Sequence, residues 1–388
     1  MGSVQKYTSA NGRRYRVRYE TPEHRQTERR GFLTKRDAEE FLASVEVSKM
    51  RGDFVDPARS RATVRDVAEE WFSGQVQLKP STRAGYRHQL DKHILPRWGD
   101  ARLASVRHGE IQAWVGELSA TRAPQTVRNA FAVLALVFNY AVRDTRIVRS
   151  PAAGILLPRH TRAQRGYLTH GQVRRLAVEC GPYGGFILFL SYTGLRWGEA
   201  TALRVRDIDL SRRRIEVARA VTEPGGKLVF GTPKSHACRS VPFPTLLLPV
   251  LRAQMANHAP DDLLFRSPDG GVLRNGNFRR RVLEPALKRI HTGYTTLEGT
   301  IVPPDPSFPV VTPHDLRHTA ASLAISAGAN VKAVQRMLGR ASATMTLDVY
   351  ADLFPDDLDS VSTALDAAAS AQLHATRPAA TDRPQPGM

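Results

Sequence analysis

Hydrophobic and polar positions change their spacing several times along the chain, and each change marks an element. Between residues 13 and 32 ("RRYRVRYETPEHRQTERRGF") Tyr15, Val17 and Tyr19 alternate with arginines. That is the two-residue repeat of a strand with one covered face, and the "TPEH" turn predicts a second basic strand returning beside it. The period then becomes helical: Thr34 is a suitable N-cap, and Ala38, Phe41, Leu42 and Val45 fall on one face. One face of the small sheet should pack on this helix, while the other presents Arg14, Arg16, Arg18 and Arg29. From residue 63 to about 145 the period stays helical. Helices are predicted to start at Thr63, at Ser81, near Gly109 and near Pro124, with Pro96 and Gly99 separating the second from the third. Residues 150–166 ("SPAAGILLPRHTRAQRG") read as an exposed linker.

From Tyr167 to about Phe354 helical and strand patterns mix. The apolar "GGFILFLSYTG" is too short to span a bilayer and reads as a buried helix ending in "TGLRWGEATAL". A strand "RRIEVAR" follows, then "KLVFGTPKSHACRSVPFP", read as a hairpin with Lys234 at or near its tip. Residues 291–311, proline-rich and without a period, read as a loop. The Ala/Pro/Arg-rich tail from about residue 370 has the composition of a disordered segment. The fold class expected is multidomain: a small β-sheet plus helix at the N-terminus (1–58), an all-α domain (62–148), a linker (149–166), a mixed, mainly α (α+β) domain (167–355), and a C-terminal segment (356–388).

Composition adds a partner class. Lys and Arg number 56 against 37 Asp and Glu, a formal net charge of +19, and the pI is near 10.5. Such an excess points to a polyanionic partner, most often nucleic acid, although a basic surface also serves solubility. A basic β-ribbon fits the major groove of a duplex. The alternative for the same hairpin is an ordinary solvated face. Two cysteines, Cys180 and Cys238, lie in neither a CxxC nor a secretory framework, which favours a reducing cytosol. No apolar stretch reaches the roughly 18 residues of a membrane span.

The stretch "TPHDLRHTAASL" (312–323) sets the chemical question, because His314 and His318 stand four apart at the start of a helix, the spacing of zinc ligands. Thr312 as N-cap, Pro313 at the first helical position and Asp315 completing a capping box place His314 in the first turn. There the unpaired N–H groups and the helix dipole favour an anion. At 100° per residue His314, Arg317 and His318 share one side, with Leu316, Leu323 and Ala327 roughly opposite. Zinc would need a third ligand and a neighbouring glutamate, and Arg317 would repel it. Two incidental histidines remain an alternative. A phosphate site fits better, since Arg317 can clamp non-bridging oxygens and His314 can donate to them or move a proton. Elsewhere "TGLRWGEA" supplies Arg196, with Glu199 three residues on to hold its guanidinium. Lys234 supplies a mobile cation, and "MLGRASATMTLDVYADLF" supplies Arg340 and Tyr350. Taken alone, Tyr350 also reads as a core tyrosine beside Leu347 and Phe354.

In this order, "TGLR.GE", the hairpin lysine, "HDLRHT", "LG" and "T..Y" resemble the tyrosine recombinases, specifically the phage-type integrases. The resemblance is most specific over about residues 165–354. It implies that 62–148 is a core-binding domain, that 1–58 is an arm-type DNA-binding domain, and that 167–355 is catalytic. By position it implies Tyr350 as nucleophile on a scissile phosphate, leaving a 3′-phosphotyrosyl link and a free 5′-hydroxyl. It implies Arg196 and Arg317 as holders of the non-bridging oxygens, Lys234 as general acid, His314 as base or donor, and Glu199 and His318 as braces. Arg340 stands where the family usually carries histidine or tryptophan. Neither metal nor ATP is implied, since the cations replace the metal and the tyrosyl ester stores the energy of the phosphodiester. The implied partners are double-stranded DNA attachment sites, a homotetramer on DNA, a host DNA-bending factor and an excisionase, in the cytoplasm of a bacterial host. The alternatives are a type IB topoisomerase-like enzyme and a DNA-binding regulator with a decayed catalytic domain.

Overall fold

The computed structural model describes residues 2–10, 12–21, 24–51, 54, 61–159, 167–233 and 238–339, together with 363, 365, 366, 369 and 370. The chain divides into two compact units at about residue 163. Among the described residues no helix is long and apolar enough to cross a membrane.

At the N-terminus, β1 (Ser3–Ser9), β2 (Gly12–Glu20) and β3 (Gln26–Phe32) form an antiparallel sheet in the order β1-β2-β3. Helix α1 (Lys35–Arg51) covers it, with the Asp37 N–H donating to Thr34 Oγ1 at 3.1 Å. Val17 and Tyr19 are buried against Ala38, Val45 and Phe54, so the alternation in β2 divides a core face from a polar face. Strand β1 extends the two-strand hairpin read from the sequence. Arg29 does not share the face of Arg14, Arg16 and Arg18. It lies opposite Val17, and its guanidinium sits over the Phe41 ring at 4.6 Å. Arg30, opposite Arg16, takes the outward position instead. The cause is a bulge at Gly31 (φ +100°), which pairs Tyr15 with Phe32 but Arg16 with Arg30. One extra residue exchanges the faces of a strand.

The helical domain comprises α2 (Val64–Ser73), α3 (Pro80–Gln89), α4 (Leu95–Trp98), α5 (His108–Thr121) and α6 (Pro124–Arg143). Thr63 and Asp66 cap α2 reciprocally, which removes two unpaired donors at its start. Trp71, Leu90, Ile94, Trp98, Ile111, Trp114, Leu134 and Phe138 build one core. Pro96 does not break the chain as its residue type suggests. A π-turn over Leu90–Ile94 joins α3 to α4, and Pro96 sits within the first two positions of α4. The same pairing recurs later, where a π-turn over Arg279–Leu283 precedes Pro285. A wider turn moves aside the carbonyl with which the proline ring would otherwise collide. Helix therefore continues to Trp98, and the break falls at Gly99. The first part of the expected linker, up to residue 159, is held at two points. Gln112 exchanges hydrogen bonds with the backbone of Leu156 (2.9 and 3.1 Å), and Arg128 donates to the Pro158 carbonyl at 2.9 Å, so this stretch packs on the helices.

The second unit contains α7 (His170–Glu179), α8 (Gly184–Thr193) and α9 (Trp197–Ala200). Strands β4 (Ile208–Asp209), β5 (Arg214–Val217), β6 (Ala220–Thr222), β7 (Val229–Gly231) and β8 (Arg239–Pro242) follow. Then come α10 (Leu248–Met255), α11 (Asn275–Phe278), α12 (Glu284–Thr292), β9 (Tyr294–Thr295), β10 (Ile301–Val302), α13 (Pro313–Ser326) and α14 (Val331–Leu338). The sheet orders are β4-β5-β8, β6-β7 and β10-β9. The expected hairpin around Lys234 is thus not two strands paired with each other: β7 pairs with β6, and β8 pairs with β5. Residues 291–311 are more ordered than a loop. Tyr294 donates to Glu179 at 2.8 Å and Arg175 to Asp305 at 3.0 Å, while Phe308 and Val311 enter the main core beside α8.

Trp98 is 2 % exposed and meets Trp114 edge-on at 6.1 Å. Trp98→Ala should destabilise the helical domain by about 3–5 kcal/mol. Urea unfolding of the full chain followed by circular dichroism checks this, and an unshifted transition would contradict the packing described.

Candidate active site

The site is built where α8, α13 and α14 end or begin near one another. Helix α13 starts as its sequence dictates: Thr312 and Asp315 form the capping box, with the Thr312 N–H donating to Asp315 Oδ2 at 2.8 Å, and Pro313 follows. The helix then departs from the two-faced pattern, because Leu316, Arg317, His318, Thr319, Ala320, Ala321 and Ser322 are all buried. Arg317 is only 3 % exposed, so its charge needs polar partners. It finds two carbonyls, those of Gly194 and Leu338, one donated to by each terminal nitrogen. Gly194 ends α8 in the left-handed conformation (φ +63°), and an added Cβ would stand 2.8 Å from Leu338 Cδ2.

The end of α14 is held by more than Arg317. Arg239 Nε donates to the Met337 carbonyl at 3.2 Å, Arg317 to Leu338, and Arg196 Nη2 to Gly339 at 3.4 Å. Three consecutive carbonyls thus meet three guanidiniums. A helix leaves its last carbonyls unpaired and carries partial negative charge there, which suits cations. A single carboxylate, Glu199, joins two of these arginines. Its Oε1 accepts from Arg196 Nη1 (2.9 Å) and Arg239 Nη1 (3.0 Å), and its Oε2 accepts from the Arg196 N–H (2.9 Å) and Arg239 Nη2 (2.6 Å). Among the described residues three guanidiniums meet one carboxylate here, a positive excess suited to a phosphate. The Arg196 side chain is 27 % exposed, whereas Glu199 is 1 % exposed.

Of the residues singled out in the sequence, Arg196, Glu199 and Arg317 come together here. His314 is exposed in the first turn of α13, and its ring meets that of buried His318 edge-on, centroids 5.0 Å apart. Lys234, Arg340 and Tyr350 lie outside the described residues. In the N-terminal sheet Arg16 and Arg18 both approach Glu28, at 3.6 and 3.4 Å. Arg239 was missed. Its signal is the alternation of "RSVP" in β8, which puts Arg239 on the same inward side as buried Val241; an inward arginine demands a buried partner.

Three family models match the chain: the Phage integrase family over residues 167–356, the Phage integrase central domain over 64–156, and an Arm DNA-binding domain over 3–49. An integrase assigned to prophage phiRv2 of Mycobacterium tuberculosis is 28% identical over 295 residues, 74% of each chain. Among solved structures, the Tn1549 transposon integrase in complex with a circular intermediate DNA superposes with a TM-score of 0.65 at 20% identity, over 78% of this chain and 99% of that one. The lambda integrase tetramer bound to a Holliday junction gives 0.55 at 16%, over 87% and 96%. At these identities the two structures speak for the fold.

Glu199 also fixes how the cluster responds to pH. Burial opposes ionisation of its carboxyl, but the hydrogen bonds and charge of Arg239, with the backbone N–H and charge of Arg196, outweigh it and hold the group below the usual glutamate range. A depressed folded value contributes stability that is complete above the ordinary glutamate range and is lost as pH falls through the folded value. Glu199→Gln leaves buried guanidinium uncompensated and should cost about 3–5 kcal/mol at neutral pH. The gap to wild type should narrow on acidification. Urea unfolding of both proteins across a pH series checks this; a gap that stays constant into acid would contradict the ionised pair.

Proposed function

Because the chain belongs to the phage integrase family, we propose that it is a tyrosine-type site-specific recombinase that integrates and excises a phage or mobile element. The observation that carries this reading is the gathering of Arg196, Arg317 and Glu199 at the carbonyl end of α14, from which the chain runs on to Arg340 and Tyr350. In the reaction the Tyr350 phenolic oxygen attacks phosphorus, a P–O bond to Tyr350 forms, and the P–O5′ bond breaks. The phenolic proton leaves toward His314 and Lys234 protonates the departing 5′-oxygen. Arg196 and Arg317 meet the charge that grows on the non-bridging oxygens, with Arg340 as a further donor in the position usual for histidine. Glu199 orients Arg196, and His318 supports His314 through the edge-on ring contact. The phosphotyrosyl ester conserves the energy of the broken link, so religation to a new 5′-hydroxyl needs no nucleotide.

The partner on this reading is a double-stranded DNA attachment site, in keeping with the net charge of +19. Exchange between two duplexes requires four strand cleavages, and one Tyr350 per chain makes the working assembly a homotetramer on DNA, inside the host cytoplasm. A host DNA-bending factor and an excisionase complete the expected partners. Residues 1–58 serve arm sites, with Arg14, Arg16 and Arg18 on the outward strand face and Arg29 at the sheet–helix side. Residues 62–148 serve the core site and 167–355 the chemistry. The topoisomerase and decayed-regulator alternatives are not favoured, since integrases of prophage and phage are among the relatives that the chain resembles.

Two experiments test the reading. Tyr350→Phe should keep specific DNA binding and form no covalent adduct with a nicked suicide substrate on a denaturing gel; an adduct from the mutant would remove Tyr350 from its role. Deletion of residues 1–60 should abolish arm-site footprints, whose strength falls steeply with salt in the intact protein, and spare core-site cleavage. Undiminished arm footprints from the truncated protein would reject the assignment of the N-terminal sheet.

A further inference from the structure

We propose that Arg239 is a positioning residue for strand cleavage: it ties the strand that follows Lys234 both to the Glu199–Arg196 pair and to the carbonyl end of α14. The inference rests on the recombinase reading and adds a residue to it. Arg239 opens β8, and Lys234 lies five residues earlier in the chain. Its side chain is 10 % exposed, and all three of its nitrogens donate, Nε to Met337 and the two terminal nitrogens to Glu199. All three nitrogens are thus engaged by protein acceptors, which suits a role exerted through Glu199 and Arg196.

Three features make this more than a buried ion pair. Glu199 has both oxygens shared between Arg196 and Arg239, so the plane of its carboxylate, and with it the Arg196 guanidinium, is set by the two-pronged contact with Arg239. Nε reaches past Glu199 to the last turn of α14, two residues before the backbone carbonyl that Arg196 itself holds. Gly339, finally, passes so close that a Cβ there would stand 3.0 to 3.1 Å from Nε, Cδ and Cζ of Arg239, with its own φ at +61°. The glycine before Arg340 thus makes room for Arg239 as well as supplying a left-handed helix end. A lysine could carry the charge but not the planar fork, and it could not reach Met337 and both Glu199 oxygens together.

The test uses the full chain and a nicked suicide duplex of the sequence that the wild-type protein cleaves. Arg239→Gln, Arg239→Lys and the double variant Glu199→Gln with Arg239→Gln are compared in single-turnover adduct formation, DNA affinity and circular dichroism. Arg239→Gln should slow cleavage on the order of 10²-fold, the scale of a small misplacement of a reacting group. Affinity should change by less than about threefold, because many other cations hold the duplex. Arg239→Lys should recover part of the rate. Among the described residues the charged groups hydrogen-bonded to Glu199 are Arg196, from its own turn, and Arg239, from β8. Without Arg239 the Glu199 carboxyl titrates higher and must still be ionised to hold Arg196. Cleavage by Arg239→Gln should then fall with decreasing pH through a limb that wild type and the double variant lack. Wild-type rates for Arg239→Gln would overturn the proposal, as would a loss of cleavage that matches lost affinity with no new limb. If Arg239→Gln does not fold, Arg239→Lys decides: slower cleavage at unchanged affinity supports positioning, and a wild-type rate overturns it. Failure of the wild type itself to form an adduct would instead sink the recombinase reading.

Discussion

Three backbone carbonyls in a row, at Met337, Leu338 and Gly339, are each held by an arginine from a different part of the chain. Arg239 comes from β8, Arg317 from α13, and Arg196 from the turn between α8 and α9. A buried guanidinium without acceptors would not be tolerated, so nearly buried Arg317 and Arg239 draw α13 and β8 to the end of α14, where the partly exposed Arg196 joins them. The main core on the α8 side is apolar and would accept many packings of similar volume. The arginine–carbonyl contacts require one arrangement.

The same constraint explains where the backbone departs from routine geometry. Gly194 and Gly339 both end helices in the left-handed conformation, and both stand where a side chain would strike the cluster, Leu338 in one case and Arg239 in the other. Burial of Glu199 alone would push its proton on; two guanidiniums reverse that and keep a negative charge in the interior. The carboxylate in turn moderates the repulsion between Arg196 and Arg239. The guanidiniums are thereby held in place by the protein's own acceptors, the kind of preorganisation that an anion site requires.

Elsewhere the fold relies on local devices. Two π-turns let helices run through Pro96 and Pro285, and a bulge at Gly31 turns Arg29 onto Phe41 and sends Arg30 outward. Each costs one irregular turn or pair and preserves a longer element that buries apolar surface.

What the sequence determined by itself is what neighbouring residues decide among themselves. The caps at Thr34, Thr63 and Thr312, the helical period from residue 63 to about 145 and the alternation in β2 were legible because those interactions span a few residues. The motif residues Arg196, Glu199 and Arg317 were legible by type and order. Tertiary structure decided the rest: which face Arg29 takes, that the strands on either side of Lys234 pair with β6 and β5, and that residues 291–311 are pinned by Glu179 and Arg175. Above all it decided what Arg239 does, since its acceptors lie 40 and 98 residues away in the chain. A buried charge announces that a partner must exist, but only the closure of long loops brings that partner to it.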